Sequence, residues 1–533
     1  MELRASNVDK LGEGIYDVLI LGGGINGAVA AASLAAKGVK VALIDRGDFA
    51  GLTSSNSSNL AWGGIKYLEN HEYFLVNKLC RSRNKLMRAY PSTVKEVRFT
   101  TTIQKGFRFP AFIVYLGTIL YWIIGRFVTQ SPKYLTPTGL QKREAVINTS
   151  QAAGGFEYSD CYLYDNDARF VFNFIRSSLN YGAIVANYVS SLGAERKADL
   201  WHCQARDELS GQQFTIRAKV LVNACGPHVD SHNQLTGQST AHRHLFSKGI
   251  HLIVDSISDS QRILTFFASD GRLFFVIPMG PKTCIGTTDT QEDSPEVEVT
   301  DGDRQFVLDN ANSLLNLPRP LTIADIISER CGVRPLALKG RDGVADWVKL
   351  SRKHAIDVNK AEKHLSIFGG KLTDCLNVGD EVSDIVADMG IAVPYADKRW
   401  YGEPGKSVKE EFMHQAKLMD LDSMTDPSSS EPLSQRLWRR YGRSAIDLLE
   451  MIREDASSAE LLIENAEYLR CEIEHAARRE MITKLEDFLR RRSKIELVVR
   501  RADIINAPGL QEACEILFGG EAETKLREYV EGQ

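Results

Sequence analysis

Gly22-Gly23-Gly24-Ile25-Asn26-Gly27 has the spacing G-x-G-x-x-G, and Asp45 follows at the end of the next apolar run. That pattern suits a dinucleotide. Gly22 allows a tight turn, Gly24 lets backbone approach a pyrophosphate, and Gly27 lets the following helix pack against its strand. The helix start offers N–H groups to the phosphates, and Asp45 can accept from ribose hydroxyls. Asn26 and Arg46, beside these positions, join the candidate binding set. A metal centre is weighed on Glu411-x-x-His414 and Glu472-x-x-His475, the spacing of di-iron bundles. Such a site also needs a glutamate from each of two further helices, and E-x-x-H arises easily in Glu-rich helices, so no metal is expected.

These residues need particular elements behind them. Tyr16 to Leu21 reads as a buried parallel strand, Ala28 to Ala36 as a helix ended by Gly38, and Val39 to Ile44 as the next strand, together one βαβ unit. From about Gly139 to Gly370 short strand-like runs, among them Lys219 to Ala224 and Phe274 to Ile277, alternate with glycine and proline turns. Past Tyr401 the pattern is helical and rich in arginine, after a polar linker or surface loop from Asp420 to Ser434. Helices are expected over Ala459 to Glu467 and Cys471 to Arg491, with the arginines on solvated faces paired to glutamates.

The fold class expected is mixed α/β. A Rossmann-type nucleotide domain (about 14–75, 140–235 and 330–395) interleaves with a sheet-based substrate domain (about 76–139 and 236–330). Residues 401–533 form an all-α cap. A chain of 533 residues is long enough for two or three such units.

A net charge of -4 offers no general attraction for nucleic acid. The nine cysteines form no C-x-x-C pair, which excludes a zinc ribbon or dithiol centre of that spacing. The first fifteen residues lack an apolar core, so no secretory signal is read and a cytoplasmic setting is expected. Phe109 to Gly125 contains no charged residue, yet it is short of the roughly 20 residues a membrane span needs. Two readings remain open, a buried helix or an apolar element dipping into one leaflet.

The early position of the glycine loop and the return segment Val222 to Pro227, with its turn at Gly226, favour FAD over NAD. The sequence resembles the FAD-dependent glycerol-3-phosphate dehydrogenase and oxidase family, related to D-amino acid oxidase. The resemblance runs through Thr53 to Ser58, Gly63-Gly64-Ile65-Lys66-Tyr67-Leu68-Glu69, Gly155 to Asp160, Lys248 to His251, Gly286 to Asp289, Gly332 to Leu336, and Phe368-Gly369-Gly370-Lys371-Leu372-Thr373. The arginine-rich stretch Tyr468 to Ser493 resembles the family's helical cap. The family usually carries lysine and histidine where this chain has Asn59 and Trp62, and arginine where it has Lys66.

The resemblance implies oxidation of a small phosphorylated polyol, sn-glycerol 3-phosphate or a close relative, by hydride transfer to the flavin N5. It adds Thr53, Ser54, Ser58, Asn59, Gly63, Gly64, Gly226, Gly370, Lys371, Leu372 and Thr373 to the cofactor set. Arg334 and Lys371 are candidates for the substrate phosphate, His251 for the general base, and Tyr158 for orienting substrate. Electrons would pass to quinone at the inner face of the cell membrane, or to oxygen, in a protein compatible with a homodimer. Two alternatives stay open: another 2-hydroxy acid, polyol phosphate or amine as substrate, or a flavin-binding regulatory protein whose site has decayed at Asn59 and Trp62.

Overall fold

The computed structural model describes residues 2–340, 353–427, 429 and 431–532. Part of the expected third nucleotide segment (341–352), and Ser428 and Ser430 of the expected linker, lie outside them.

Two sheets organise the N-terminal three-quarters of the chain. In the first, parallel strands run in the spatial order His364–Phe368, Gln213–Asn223, Ile15–Leu21, Val41–Ile44, Ile184–Ala186. Ile15–Leu21 is central. Its residues Val18 to Leu21 are buried on both faces, which is why that run reads as continuously apolar. The alanine-rich helix Ile25–Ala36 is buried along nearly its whole length, because small side chains let it lie close to its neighbours.

The second sheet carries Val94–Gln104, Ala152–Leu163, His242–Asp255, Leu273–Met279 and Ser328–Lys339 among its strands. Ala152–Leu163 and, from Arg330 on, Ser328–Lys339 fall within the residues expected to form the nucleotide domain. Ala152–Leu163 instead pairs antiparallel with Val94–Gln104 along its length, and Ser328–Lys339 pairs with His242–Asp255 from Lys339 back to Ser328. Backbone hydrogen bonds over such lengths decide sheet membership against proximity in sequence.

The C-terminal region is helical, with two departures from the expected elements. Residues 460–469 do not form a helix: Asn465 takes φ +59°, Leu461 bridges Leu469, and Arg470 N–H donates to Glu460 C=O. The expected helix from Cys471 to Arg491 ends at Arg479, and Met481 has φ +51°. Asp487 then accepts from the Thr483 and Lys484 N–H groups and starts a second segment, Asp487–Arg492.

The arginines there divide into two groups. Arg443, Arg453, Arg478, Arg479 and Arg501 are exposed, with Arg453 beside Glu450 and Arg478 beside Glu474, whereas Arg436, Arg439, Arg440, Arg491 and Arg492 are buried. The buried ones turn inward because buried carboxylates wait for them: Glu472 for Arg440, Asp165 for Arg439 and Arg440, and Asp48 for Arg491 and Arg492. Glu472, weighed above as a metal ligand, accepts instead from Arg440 and from Leu469 N–H.

Candidate active site

A cleft of about 570 Å³ opens at the ends of the parallel strands, in the size range of small-molecule sites. Gly22, Gly24, Asn26, Asp45, Arg46, Thr53, Ser54, Gly226 and Gly370 line it. Gly22 has φ +99°, and a Cβ there would lie 2.5 Å from Ala224 O. A Cβ on Gly27 would fall 1.9 Å from Gly22 O, so Gly27 lies behind the cleft and acts through close packing. Gly24 caps the helix Ile25–Ala36 without a side-chain bond, leaving the helix start facing the cleft, where Ile25 N–H meets Ser54 Oγ at 3.0 Å. Asp45 accepts from Gly23 N–H at 2.6 Å and Gly47 N–H at 2.9 Å, and burial pushes its carboxyl up to about 6. Arg46 contacts His228 at 2.8 Å.

Side chains join this cleft to a second group of candidates. Asn26 Nδ2 donates to Gly369 O at 2.9 Å, holding the Gly369-Gly370 turn against the glycine loop. Thr53 Oγ1 donates to Val333 O at 2.8 Å, tying the serine-rich segment to the strand Ser328–Lys339. Beyond that turn, Lys371 Nζ sits 4.2 Å above the Tyr67 ring, Leu372 opens a short 3-10 turn, and Thr373 Oγ1 meets Trp62 O at 3.3 Å. Gly63 N–H donates to the buried Asp160 carboxylate at 3.1 Å, and Gly64 begins the turn Ile65–Asn70.

Trp62 Nε1–H donates to Tyr158 Oη at 3.3 Å. Burial raises the Tyr158 phenol well above its ordinary value, and its ring stacks on Phe99. Tyr158 is therefore a neutral hydroxyl, buried beneath Trp62.

Arg334 lies flat on Gly249, with Nη2 donating to Thr287 Oγ1 at 2.8 Å and Nη1 to Thr288 O at 3.2 Å. His251 is buried on the neighbouring strand opposite Arg330 and Gly286. Neither of its ring nitrogens has a hydrogen-bond partner among the described residues. Burial, then the charges of Arg334 and Arg330, lower its pKa to about 3. The imidazole is thus neutral near pH 7, and its surroundings make it a weaker base than a free imidazole.

Asn59 has φ +57°, a conformation asparagine tolerates better than most residues. Its Nδ2 donates to Asp165 O at 2.6 Å, and its Oδ1 accepts from Arg330 Nη1 at 2.8 Å. Its side chain is spent on the protein, with half-buried Ser58 beside it. A lysine at this position could not accept from Arg330, so the departure at Asn59 has a local structural reason. Sequence reasoning missed Arg330, which also donates to Ser57 O at 2.5 Å and joins the serine-rich segment to the His251 strand. It also missed Asp160 with its partners Arg83 and Tyr121. Buried charges within strand-like runs were the only sequence signal, and their partners became visible once the strands were paired.

Comparison with known proteins agrees with this architecture. Residues 17–356 match the family described as FAD dependent oxidoreductase, and residues 407–515 match the C-terminal domain of alpha-glycerophosphate oxidase. The chain is 31% identical to a glycerol-3-phosphate dehydrogenase of Pseudomonas aeruginosa over 497 residues, covering 91% of this chain and 92% of that one. It is 30% identical to a glycerol-3-phosphate dehydrogenase of Mycobacterium leprae over 539 residues, covering 98% and 88%. The fold matches the FAD-complexed glycerol-3-phosphate dehydrogenase of Bacillus halodurans with a TM-score of 0.71 at 23% identity, over 99% of this chain and 96% of that one. With a strand–glycine-loop–helix cleft at its N-terminal end and an arginine-rich helical region closing over it, the chain belongs to the FAD-dependent oxidoreductase family, in its glycerol-3-phosphate dehydrogenase group.

Proposed function

We propose that the protein oxidises sn-glycerol 3-phosphate to dihydroxyacetone phosphate and passes the electrons to a quinone at the inner face of the cell membrane. The observation that carries the reading is a neutral, buried His251 with two unpartnered ring nitrogens, set between the cations Arg334 and Arg330. The residues fit FAD. Glycines stand where a Cβ would collide with backbone, a helix start faces the cleft, and Asp45 stands ready for ribose hydroxyls.

In this reading Gly22, Gly24, Asn26, Asp45, Arg46, Thr53, Ser54 and Gly226 hold the adenosine and pyrophosphate half. Ser58, Asn59, Gly63, Gly64 and Gly370 to Thr373 shape the pocket for the ring. FAD, when bound, supplies the acceptor for the hydride that leaves the substrate carbon. Arg334 binds the phosphate through its planar fork, and Lys371 adds a second positive charge. A ring nitrogen of His251 takes the hydroxyl proton as the carbonyl forms. Burial is the main cause of the depressed His251 pKa, and a phosphate dianion beside Arg334 offsets only the smaller part that comes from the arginine charges. Tyr158, expected to orient substrate, is instead buried and holds the Trp62 indole through its hydroxyl.

The test is anaerobic mixing of the flavin-loaded protein with sn-glycerol 3-phosphate, followed as loss of flavin absorbance. Rapid bleaching is expected, with Arg334→Ala needing about 100-fold more substrate for the same rate, the scale of a lost charged hydrogen bond. A protein that stays yellow overturns the substrate. Bleaching of Arg334→Ala at wild-type substrate concentrations overturns the phosphate assignment.

A further inference from the structure

Lys484, Glu486 and Arg491 belong to the C-terminal helical region, yet they line the nucleotide cleft together with the glycine loop. Buried bonds hold their backbone there. The Lys484 and Thr483 N–H groups donate to the Asp487 carboxylate at 2.8 and 2.9 Å, and Tyr188 Oη donates to the same carboxylate at 2.7 Å. Arg491 and Arg492 reach Asp48, and the residues after Asp48 lie against the glycine loop. There Ala50 N–H donates to Gly23 O at 3.1 Å, and Ser54 Oγ accepts from Ile25 N–H at 3.0 Å. This C-terminal wall is thus anchored to the segment that runs beside the phosphate-binding turn.

The charges that line the cleft are mostly engaged with the protein. Asp45 accepts from Gly23 and Gly47, Asp48 from Arg491 and Arg492, and Glu486 from Arg491 Nη1 at 2.6 Å. Among the cations, Arg491 meets Asp48, Glu486 and Asp487, while Arg206 pairs with Glu208. Lys484 differs. Its half-buried side chain has no hydrogen bond, ion pair or ring contact to any described residue. An ammonium has three donors and no acceptor, so it answers an anion or a lone pair. FAD carries its negative charge on the pyrophosphate, which the helix start at Ile25 already favours.

We propose that Lys484 is a cofactor ligand supplied by the C-terminal region. Its ammonium pairs with the FAD pyrophosphate, so that bound FAD bridges the nucleotide sheet and the C-terminal helices beside the Asp48 cluster. The proposal rests on FAD as the ligand of this cleft, and not on which substrate is oxidised.

The experiment is titration of the full-length, flavin-free protein with FAD, read as quenching of flavin fluorescence. Lys484→Ala is expected to bind FAD about tenfold more weakly, and Lys484→Glu more weakly again. Lys484→Arg keeps the charge and should stay within about threefold of the wild type. Raising salt should weaken the wild type more than Lys484→Ala, since screening removes what the variant already lacks. ADP and adenosine, each measured by the FAD they displace, report where the ammonium acts. Lys484→Ala should lose affinity for ADP and keep it for adenosine. Thermal unfolding of the flavin-free protein should be the same for Lys484→Ala as for the wild type, because the ammonium bonds to no described residue. Wild-type FAD affinity in Lys484→Ala overturns the proposal and leaves FAD binding at the glycine loop standing. Equal losses for ADP and adenosine overturn the pyrophosphate contact. A lowered unfolding midpoint, with FAD affinity not restored in Lys484→Arg, makes the lysine a packing residue and overturns the proposal as well.

Discussion

Asp45, half-buried at the cleft, and His251, fully buried, are both ionisable groups held in their neutral direction, and each shift has a measurable consequence. Burial raises Asp45 to about 6 even though Gly23 and Gly47 donate to it. A folded-state value above the unfolded one means the apo-protein gains stability from protonation. That gain is present at low pH and is lost as pH rises through about 6. Ribose hydroxyls favour the ionised form, so FAD affinity should fall as pH drops below about 6, by up to about tenfold per pH unit, and Asp45→Asn should remove this dependence. Titration of FAD by fluorescence quenching at several pH values checks it; a flat profile for the wild type would remove Asp45 from the ribose site. His251 lies below its ordinary value and stays neutral across the working range, so the flavin-reduction rate should show no loss of base between pH 6 and 8. Replacing it with alanine should slow anaerobic bleaching by at least about 100-fold while the half-saturating substrate concentration changes little. A loss of less than a few-fold would make His251 a packing residue. Asn59 shows the limit of residue-by-residue reading. Its departure from the family pattern was visible in the sequence, but its bond to Arg330 spans 271 residues of chain and could not be.

At the scale of elements, the glycine loop works because a strand, a turn and a helix are packed with no room to spare. Gly27→Ala would place a methyl 1.9 Å from a backbone carbonyl that belongs to the same loop and cannot swing aside. The expected outcome is loss of FAD and destabilisation by about 3 kcal/mol or more, read as a lowered unfolding midpoint and a colourless protein. A yellow Gly27→Ala variant of normal stability would mean the loop is looser than this packing requires. The strand–loop–helix unit was legible because all its determinants are local: a branched apolar run, three glycines and an alanine-rich segment. The C-terminal helices were less so. Cys471 to Arg491 has continuous helical character, yet Met481 adopts a left-handed conformation and Asp487 caps the next segment. Tertiary demand there overrides propensity, because the break lets Arg491 and Arg492 reach Asp48.

Across the whole molecule, that reach is what makes one body of the nucleotide cleft and the C-terminal helices. Asp48 accepts from Arg491 Nε at 2.7 Å, from Arg492 Nη1 and Nη2 at 2.8 and 2.7 Å, and from Asn187 at 3.0 Å. Arg491, Lys484 and Glu486 themselves line the cleft opposite the glycine loop. Burial alone would raise the Asp48 carboxyl, but the two guanidinium groups outweigh it and hold it below the ordinary range. A depressed acidic pKa stabilises the fold above the unfolded value and ceases to do so as pH falls through about 4 and below. Asp48→Ala leaves two buried cations short of their partner, so a loss of about 3–5 kcal/mol is expected, with FAD weakened in parallel. Thermal unfolding with and without added FAD measures both. An unchanged midpoint would show that the helical region closes the cleft without this cluster.

What the sequence alone determined is whatever depends on neighbours in the chain: the βαβ nucleotide unit, the mixed α/β class, the helical C-terminal region, and an uncharged segment from Phe109 to Gly125. What only the tertiary structure decided depends on partners far apart in sequence. Sheet membership of Ala152–Leu163 and Ser328–Lys339 follows from long antiparallel pairing, and the inward turn of the arginines follows from carboxylates hundreds of residues away. The apolar segment is the sharpest case. Its hydrophobicity is written in the sequence, but which side chains face out is set by the single face that packs on the Tyr158–Asp160 region, and only that choice leaves an apolar stripe exposed.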